Sequence, residues 1–310
     1  MTRCSESSLA AAEQLAGSAP EAVAWVALEQ NGPWGAKAFT ASHLDPGVGR
    51  EIEAAAAAHG ARPVLVRRPG RHADDHVHPA GHRVLVAYTH PADTWLLDGT
   101  LAGPEELLNL DWAALRAGDR DAVRRSLPTL RPSPQAQLLV CTNGARDLCC
   151  AVVGRPVALA GAALRPGRVW EVTHTSGHRF APTAVLLPHG QTWARLSTEL
   201  AVAALDAAAR GQLPAELLGP VHDRGRSPLT APAQAAESFV RQQIGEIDLT
   251  ALSTVPDADN GSAERVRSRV THRDGRSWDV LATRTAAQGE RPDSCGKAPV
   301  PSWQWDCSLP

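Results

Sequence analysis

The decapeptide Cys141-Thr-Asn-Gly-Ala-Arg-Asp-Leu-Cys149-Cys150, with His174-Thr-Ser-Gly-His178 about two dozen residues further on, constrains this chain more than any other feature. Three of the six cysteines and two imidazoles fall within this short span. Soft thiolates and imidazoles gathered so densely point to metal chemistry or catalysis rather than to burial of cysteines as small apolar side chains. The first residues, MTRCSESSLAAAEQLAGSAPEA, contain no compact apolar leader, so the expected location is cytoplasmic, and in a reducing compartment an even cysteine count does not imply disulfides.

Local pattern places these residues. Gln137 to Val140 is an apolar run that ends at Cys141, and Thr-Asn-Gly then turns the chain, so Cys141 is expected at a strand exit. Asp147 is a good N-cap for a helix from Leu148 to about Leu164, despite Gly154 and Pro156 near its start. Cys149 and Cys150 occupy its first turn, where the helix dipole favours thiolate. Successive helical residues point about 100° apart, so only one of the two faces the site while the other packs inward.

Arg168 to Thr173 reads as a second strand, running directly into His174. Thr183 to Leu196 reads as a hairpin turning at His189-Gly190, and Ser197 caps a helix to about Arg210. The order is βαβ followed by ββα, the minimal thioredoxin-like arrangement. A βαβ crossover brings the ends of its parallel strands to one edge, and His174 therefore arrives beside the cysteines. Two sulfurs and two nitrogens suit tetrahedral zinc, and equally a [2Fe–2S] cluster in which two His replace two Cys on one iron. Zinc knuckles pair closely spaced cysteines, whereas eight residues separate Cys141 from Cys150, an interval suited to the larger object.

The stretches CTNGARDLCC, VWEVTHTSGHRFAPT and LLPHGQTWARL resemble the central domain of the sucrase/ferredoxin-like family, a branch of the thioredoxin-like ferredoxins. GPWG at 32–35 and RRPGR at 67–71 resemble its N-terminal half. The resemblance implies a [2Fe–2S] cluster held by a Cys-x8-Cys pair, Cys141 and Cys150, and a His-x3-His pair, His174 and His178. Cys149 falls outside that pattern, while Arg146, Asp147, Gly177 and Arg179 match the family around the ligands. Asn143 stands where many members have His. The word "sucrase" suggests glycoside hydrolysis, but no acid and nucleophile carboxylate pair can be assigned, so no hydrolase site is expected.

Other candidates carry less. HTSGH has the histidine spacing of a zinc-protease helix, but Thr175 replaces the catalytic Glu and Ser-Gly disfavours helix. The histidines of Arg71 to His82, with Asp74 and Asp75, read as a solvated loop. Gly47-Val-Gly49 lacks the third glycine of a dinucleotide fingerprint. Arg67, Arg68 and Arg71 read first as an exposed turn at Pro69-Gly70 and second as a clamp for a phosphate or an acidic partner. Cys295 and Cys307 flank Trp303 and Trp305, which are expected to pack structurally. Adjacent Cys149 and Cys150 lack the Cys-x-x-Cys spacing of a dithiol oxidoreductase.

Lys plus Arg number 31 against 33 Asp plus Glu, a balance that excludes a general nucleic-acid binder. No stretch reaches the roughly 18 apolar residues of a membrane span. The expected fold class is α/β, with no repeat evident: an N-terminal α/β or α+β unit over 1–131, a thioredoxin-like ferredoxin domain over 135–218, and a C-terminal extension over 219–310 with a helix near Pro232 to Ile244 and a hairpin turning at Asp274-Gly275. The expected function is electron transfer or redox sensing by one [2Fe–2S] cluster, coupled to protons and served by a partner protein such as a reductase. The alternative is a zinc-stabilised binding module.

Overall fold

The computed structural model describes residues 3–70, 80–257 and 262–309. The histidine-rich loop singled out above falls mainly at 71–79, outside the described residues. Strand β1 (Ala24–Glu29) pairs in parallel with β2 (Ala61–Arg67), from Ala24 opposite Ala61 to Glu29 opposite Val66. The crossover is the helix Pro46–Ala58, which starts where the Asp45 carboxylate accepts from the N–H groups of Gly47 and Val48. Such a cap contributes about 1 kcal/mol. The Gly47-Val-Gly49 segment thus belongs to a helix start rather than a phosphate loop. Antiparallel β3 (His82–Tyr88) lies on the other side of β1, followed by β4 (Trp95–Leu101) and the short edge strand β5 (Arg131–Pro132).

The second unit follows the same plan. β6 (Gln137–Cys141) and β7 (Val169–Val172) are parallel, with Leu138 opposite Val169, and the helix Arg155–Leu164 crosses between them. β8 (Ala184–Leu187) runs antiparallel to β6 and forms a hairpin with β9 (Gln191–Trp193). The helix Thr198–Ala208 then begins with the Ser197 hydroxyl accepting from the N–H of Leu200. β10 (Asp223–Arg226) adds to β9.

Strand order in the first unit is β2-β1-β3-β4, and in the second it is β7-β6-β8-β9. β2 and β7 join the two units edge to edge, antiparallel, in one sheet of ten strands. The chain therefore contains two topologically equivalent units related about the β2–β7 seam, a structural repeat that its residues do not display. Alternation along β1 sends Ala24, Val26 and Leu28 to a core shared with helix residues such as Ile52 and Leu115. Trp25 and Ala27 point the other way, into an apolar layer that also contains Leu139, Trp170 and Val185 of the second unit. That layer is common to both units, and it includes Cys141 and Cys150.

Beyond β10, the helix Ala231–Ile244 packs on a second, antiparallel sheet of β11 (Leu252–Pro256), β12 (Arg265–His272), β13 (Ser277–Pro292) and β14 (Pro299–Ser308). The expected hairpin is present but longer, and its outer strand continues into a third. The protein is thus mixed α/β, with one large mixed sheet and one smaller antiparallel sheet. Among the described residues no helix is long and apolar enough to cross a membrane.

His189, at the β8–β9 turn, provides a pH handle remote from the cysteines. Burial, with nearby Arg226, pushes its pKa from 6.5 to about 4. The neutral ring is preferred in the folded chain, so between these values only the unfolded chain takes up the proton. Stability is complete above about pH 6.5 and declines as pH falls toward 4. Urea unfolding should show wild type losing about 2 kcal/mol more than His189→Gln between pH 7 and pH 5. Equal losses would refute the assignment.

Candidate metal centre

The parallel pairing of β6 with β7 sets up the site. Cys141 closes β6 opposite Val172, and two residues beyond Val172 the chain reaches His174, so both arrive at the same end of the sheet. The backbone N–H of Cys141 donates to the carbonyl of Thr183 at 2.9 Å, fixing its direction. Asp147 then opens the helix as expected, its carboxylate accepting from the N–H of Cys149 at 2.8 Å. The helix is not uniform. Leu148 and Cys149 are α-helical, but Cys150–Gly154 form a π-helical turn before the α-helix resumes at Arg155. Pro156 has no N–H to donate to residue 152, and the ladder widens just before it. Gly154 makes this turn possible, because a Cβ there would lie 2.3 Å from the Cys141 carbonyl oxygen.

His178 arrives through a different device. Gly177, in the left-handed region at φ 67°, reverses the chain into a short 3-10 turn, His178–Phe180. The segment from His174 to Gly177 is therefore not helical, which fits the exclusion of a zinc-protease helix. The His174 and His178 rings stack with centroids 4.7 Å apart, and His178 Nδ1 lies 3.5 Å from Cys150 Sγ. Cys141 and Cys150 are fully buried, while both histidines are half-buried. The His edge is the more open one.

Two groups of this cluster are electrostatically unusual. The Cys150 thiol donates toward Cys141, and this contact, against the cost of burial and with help from His174, holds Cys141 well below the ordinary thiol pKa. Cys150 is correspondingly raised, by Cys141 first and burial second. Burial, then His174, lowers His178, which keeps its ring neutral. His174 Nδ1 is buried with no hydrogen-bond partner among the described residues. A buried ring nitrogen without a partner is costly unless something else binds it.

The surroundings brace this arrangement. Asn143 donates from Nδ2 to the Gly35 carbonyl at 2.9 Å and accepts from the Ala145 N–H, which pins the site loop to the GPWG segment. Arg146 reaches the Ala36 carbonyl. Arg179 bonds Glu13 at 2.9 Å and Asp293 at 2.7 Å, tying the His178 turn to both ends of the chain. Arg224 donates to the carbonyls of Thr175 and Ser176 and to that of Ser18, fixing the loop between the histidines. Burial lowers its pKa to about 9. Nothing in the local sequence around Arg224 links it to His174.

Arg67 and Arg68 do not form an exposed turn. Arg67 is buried against Glu171 at 2.6 Å and stacks over Trp34, and Arg68 lies over the Trp170 ring with Cζ 3.5 Å from its centroid. The local sequence does not show this, because Glu171 and Trp170 sit about a hundred residues away, on β7. Glu171, fully buried, also accepts from Thr142 at 3.1 Å, one residue past Cys141. Cys149 faces away from the Cys2His2 group, toward Cys4 and Cys295, and Cys307 lies apart in β14. In β14, Trp303 is half exposed under Arg284 instead of packed in a core, because this strand is the edge of the smaller sheet, while Trp305 is half-buried. The β13–β14 connection, with Asp293 to Cys295, lies over the Asp147 side of the site.

Fold and site together define a mixed α/β protein whose second βαβ-ββα unit gathers two thiols and two imidazoles at one sheet end. The sucrase/ferredoxin-like family model matches residues 15–210, and the chain belongs to that family. The match spans both topological units and stops before β10. Comparison with curated proteins and with solved structures gives no match.

Proposed function

We propose that this protein is an electron carrier or redox sensor holding one [2Fe–2S] cluster between Cys141, Cys150, His174 and His178. The observation that carries the reading is the buried His174 Nδ1, unpartnered among the described residues, beside a stacked His178 and the buried Cys141 and Cys150. A donor set of two sulfurs and two imidazoles suits such a cluster. The strand order β7-β6-β8-β9 supports a thioredoxin-like ferredoxin unit. When bound, the group takes up and returns one electron at a time.

The chain's own residues define what surrounds that exchange. Cys141 and Cys150 supply negative charge from the dry side, and the Thr183 and Asp147 contacts fix their approach. His174 and His178 supply neutral donors at the half-buried edge, with their remaining ring nitrogens available to couple protons to electrons. A pocket beside His174 is lined by Lys37, Arg62 and Arg146 together with Glu21 and Glu53, and it offers a redox partner such as a reductase its closest approach.

Neutral imidazoles donate less negative charge than thiolates. The midpoint potential is therefore expected above the roughly −400 mV of all-cysteine plant-type ferredoxins. A His174→Cys, His178→Cys double variant that still holds iron should shift downward in voltammetry, and an unchanged or higher value would contradict the ligand assignment. The reading itself is tested on anaerobically handled protein by iron, acid-labile sulfide and visible absorption. Two irons and two sulfides per chain with a reddish-brown colour are expected. Colourless protein carrying zinc on two sulfurs and two nitrogens would overturn the proposal.

A further inference from the structure

A second group of cysteines lies outside the Cys2His2 site. Cys4 opens the N-terminal helix Cys4–Ala10, Cys149 sits at the start of the site helix, and Cys295 lies in the β13–β14 connection. Their Sγ atoms form a triangle with edges of 3.5 Å (Cys4–Cys149), 3.4 Å (Cys4–Cys295) and 3.1 Å (Cys149–Cys295). Both Asp147 carboxylate oxygens lie 3.8 Å from Cys4 Sγ. One donor atom from each of the four residues falls within 4.8 Å of every other. All three cysteines are free thiols, and a disulfide needs about 2.05 Å between sulfurs.

We propose that Cys4, Cys149, Cys295 and Asp147 form a second metal site, for a thiophilic divalent cation of the zinc type, with three sulfur ligands and one carboxylate oxygen. Around tetrahedral zinc with bonds of about 2.3 Å, neighbouring donors sit about 3.8 Å apart, so the sulfur edges of 3.1–3.5 Å here need to open by only about 0.3–0.7 Å to seat the ion. Asp147 is already oriented: it accepts from the Cys149 N–H, the Ser294 hydroxyl at 2.6 Å and the Cys295 N–H at 2.8 Å. Ordered partners behind a ligating carboxylate are what metal sites use to fix it. Loading releases the three thiol protons to solvent and leaves each sulfur bonded to the metal.

The ligands come from three chain segments separated by more than a hundred residues, so the metal acts as a clamp. It would hold the N-terminal helix and the C-terminal sheet's connection against the helix start that carries Cys150. Arg179, bonded to both Glu13 and Asp293, crosses the same junction. This site does not depend on the cluster reading, and its occupation can be read separately.

The test loads full-length protein with Zn2+ alone, removes loose metal by dialysis against a weak chelator, and measures zinc stoichiometry and zinc-edge X-ray absorption. One zinc per chain is expected, with a shell of three sulfurs at about 2.3 Å and one oxygen. Cys4→Ser and Cys295→Ser should each weaken retention at least tenfold while iron content and colour stay as in wild type, and Cys307→Ser should retain both metals. No retained zinc in wild type would overturn the proposal. So would a shell of two sulfurs and two nitrogens insensitive to Cys4 and Cys295, which places zinc at the Cys2His2 group. A Cys149–Cys295 disulfide, seen as two fewer alkylatable thiols with no zinc, would overturn it as well.

Discussion

Cys141→Ser and Cys150→Ser are each expected to yield protein without bound iron, whereas Cys149→Ser keeps its iron. The contrast is sharp because Cys149 and Cys150 are adjacent, equally buried and chemically identical. What separates them is direction. Cys150 Sγ meets His178 Nδ1 at 3.5 Å, while Cys149 Sγ meets Cys295 Sγ at 3.1 Å and the Ser5 hydroxyl at 3.2 Å. Serine supplies a harder oxygen donor on a shorter bond, and the rigid strand exit and π-helical turn leave little freedom to compensate. Iron analysis of the three variants decides the register: loss in Cys149→Ser with retention in Cys150→Ser would show that the wrong cysteine was assigned.

The second large effect lies in the seam between the two units. Glu171→Ala should destabilise the fold by about 3–5 kcal/mol, because it leaves the buried Arg67 charge without its partner. Arg67 contacts one Glu171 oxygen through both Nε, at 2.7 Å, and Nη2, at 2.6 Å, and Arg155 approaches the other at 3.4 Å. Among the described residues the β2–β7 junction has two register pairs, Val66–Val172 and Arg67–Glu171, and the ion pair lies in the second of them. In a chain of this size the loss corresponds to a fall in melting temperature of about 5–8 °C. Replacing both partners by apolar residues, Arg67→Met with Glu171→Leu, should recover most of it, since the penalty is the stranded charge rather than the missing bond. A single variant that melts within a degree or two of wild type would contradict this.

The second unit was legible because its signals are local. The apolar run before Cys141, the Asp147 and Ser197 caps and the His189-Gly190 turn each act within a few residues, and each appears where its chemistry puts it. The repeat was not legible, since topology can recur without its functional residues: β1 ends in Glu29 and leads to Gln30 and Asn31, where β6 ends in Cys141. Arg67 beside Pro69-Gly70 has the composition of a surface turn, and only tertiary pairing with Glu171 buries it. Cys4 and Cys295 meet Cys149 across 145 and 146 residues, a convergence that no spacing pattern announces. The π-helical turn was hidden too, although Gly154 and Pro156 mark where it falls.

The central claim is that two histidines and two cysteines bind one cluster, and pulsed electron–nuclear double resonance on the reduced protein tests it most directly. Protein grown with 15N-histidine and reduced at low temperature should show two distinct nitrogen couplings at the paramagnetic centre, and His174→Cys or His178→Cys should each remove one. A reduced centre with no histidine nitrogen coupling, or with couplings that survive both substitutions, would contradict the account.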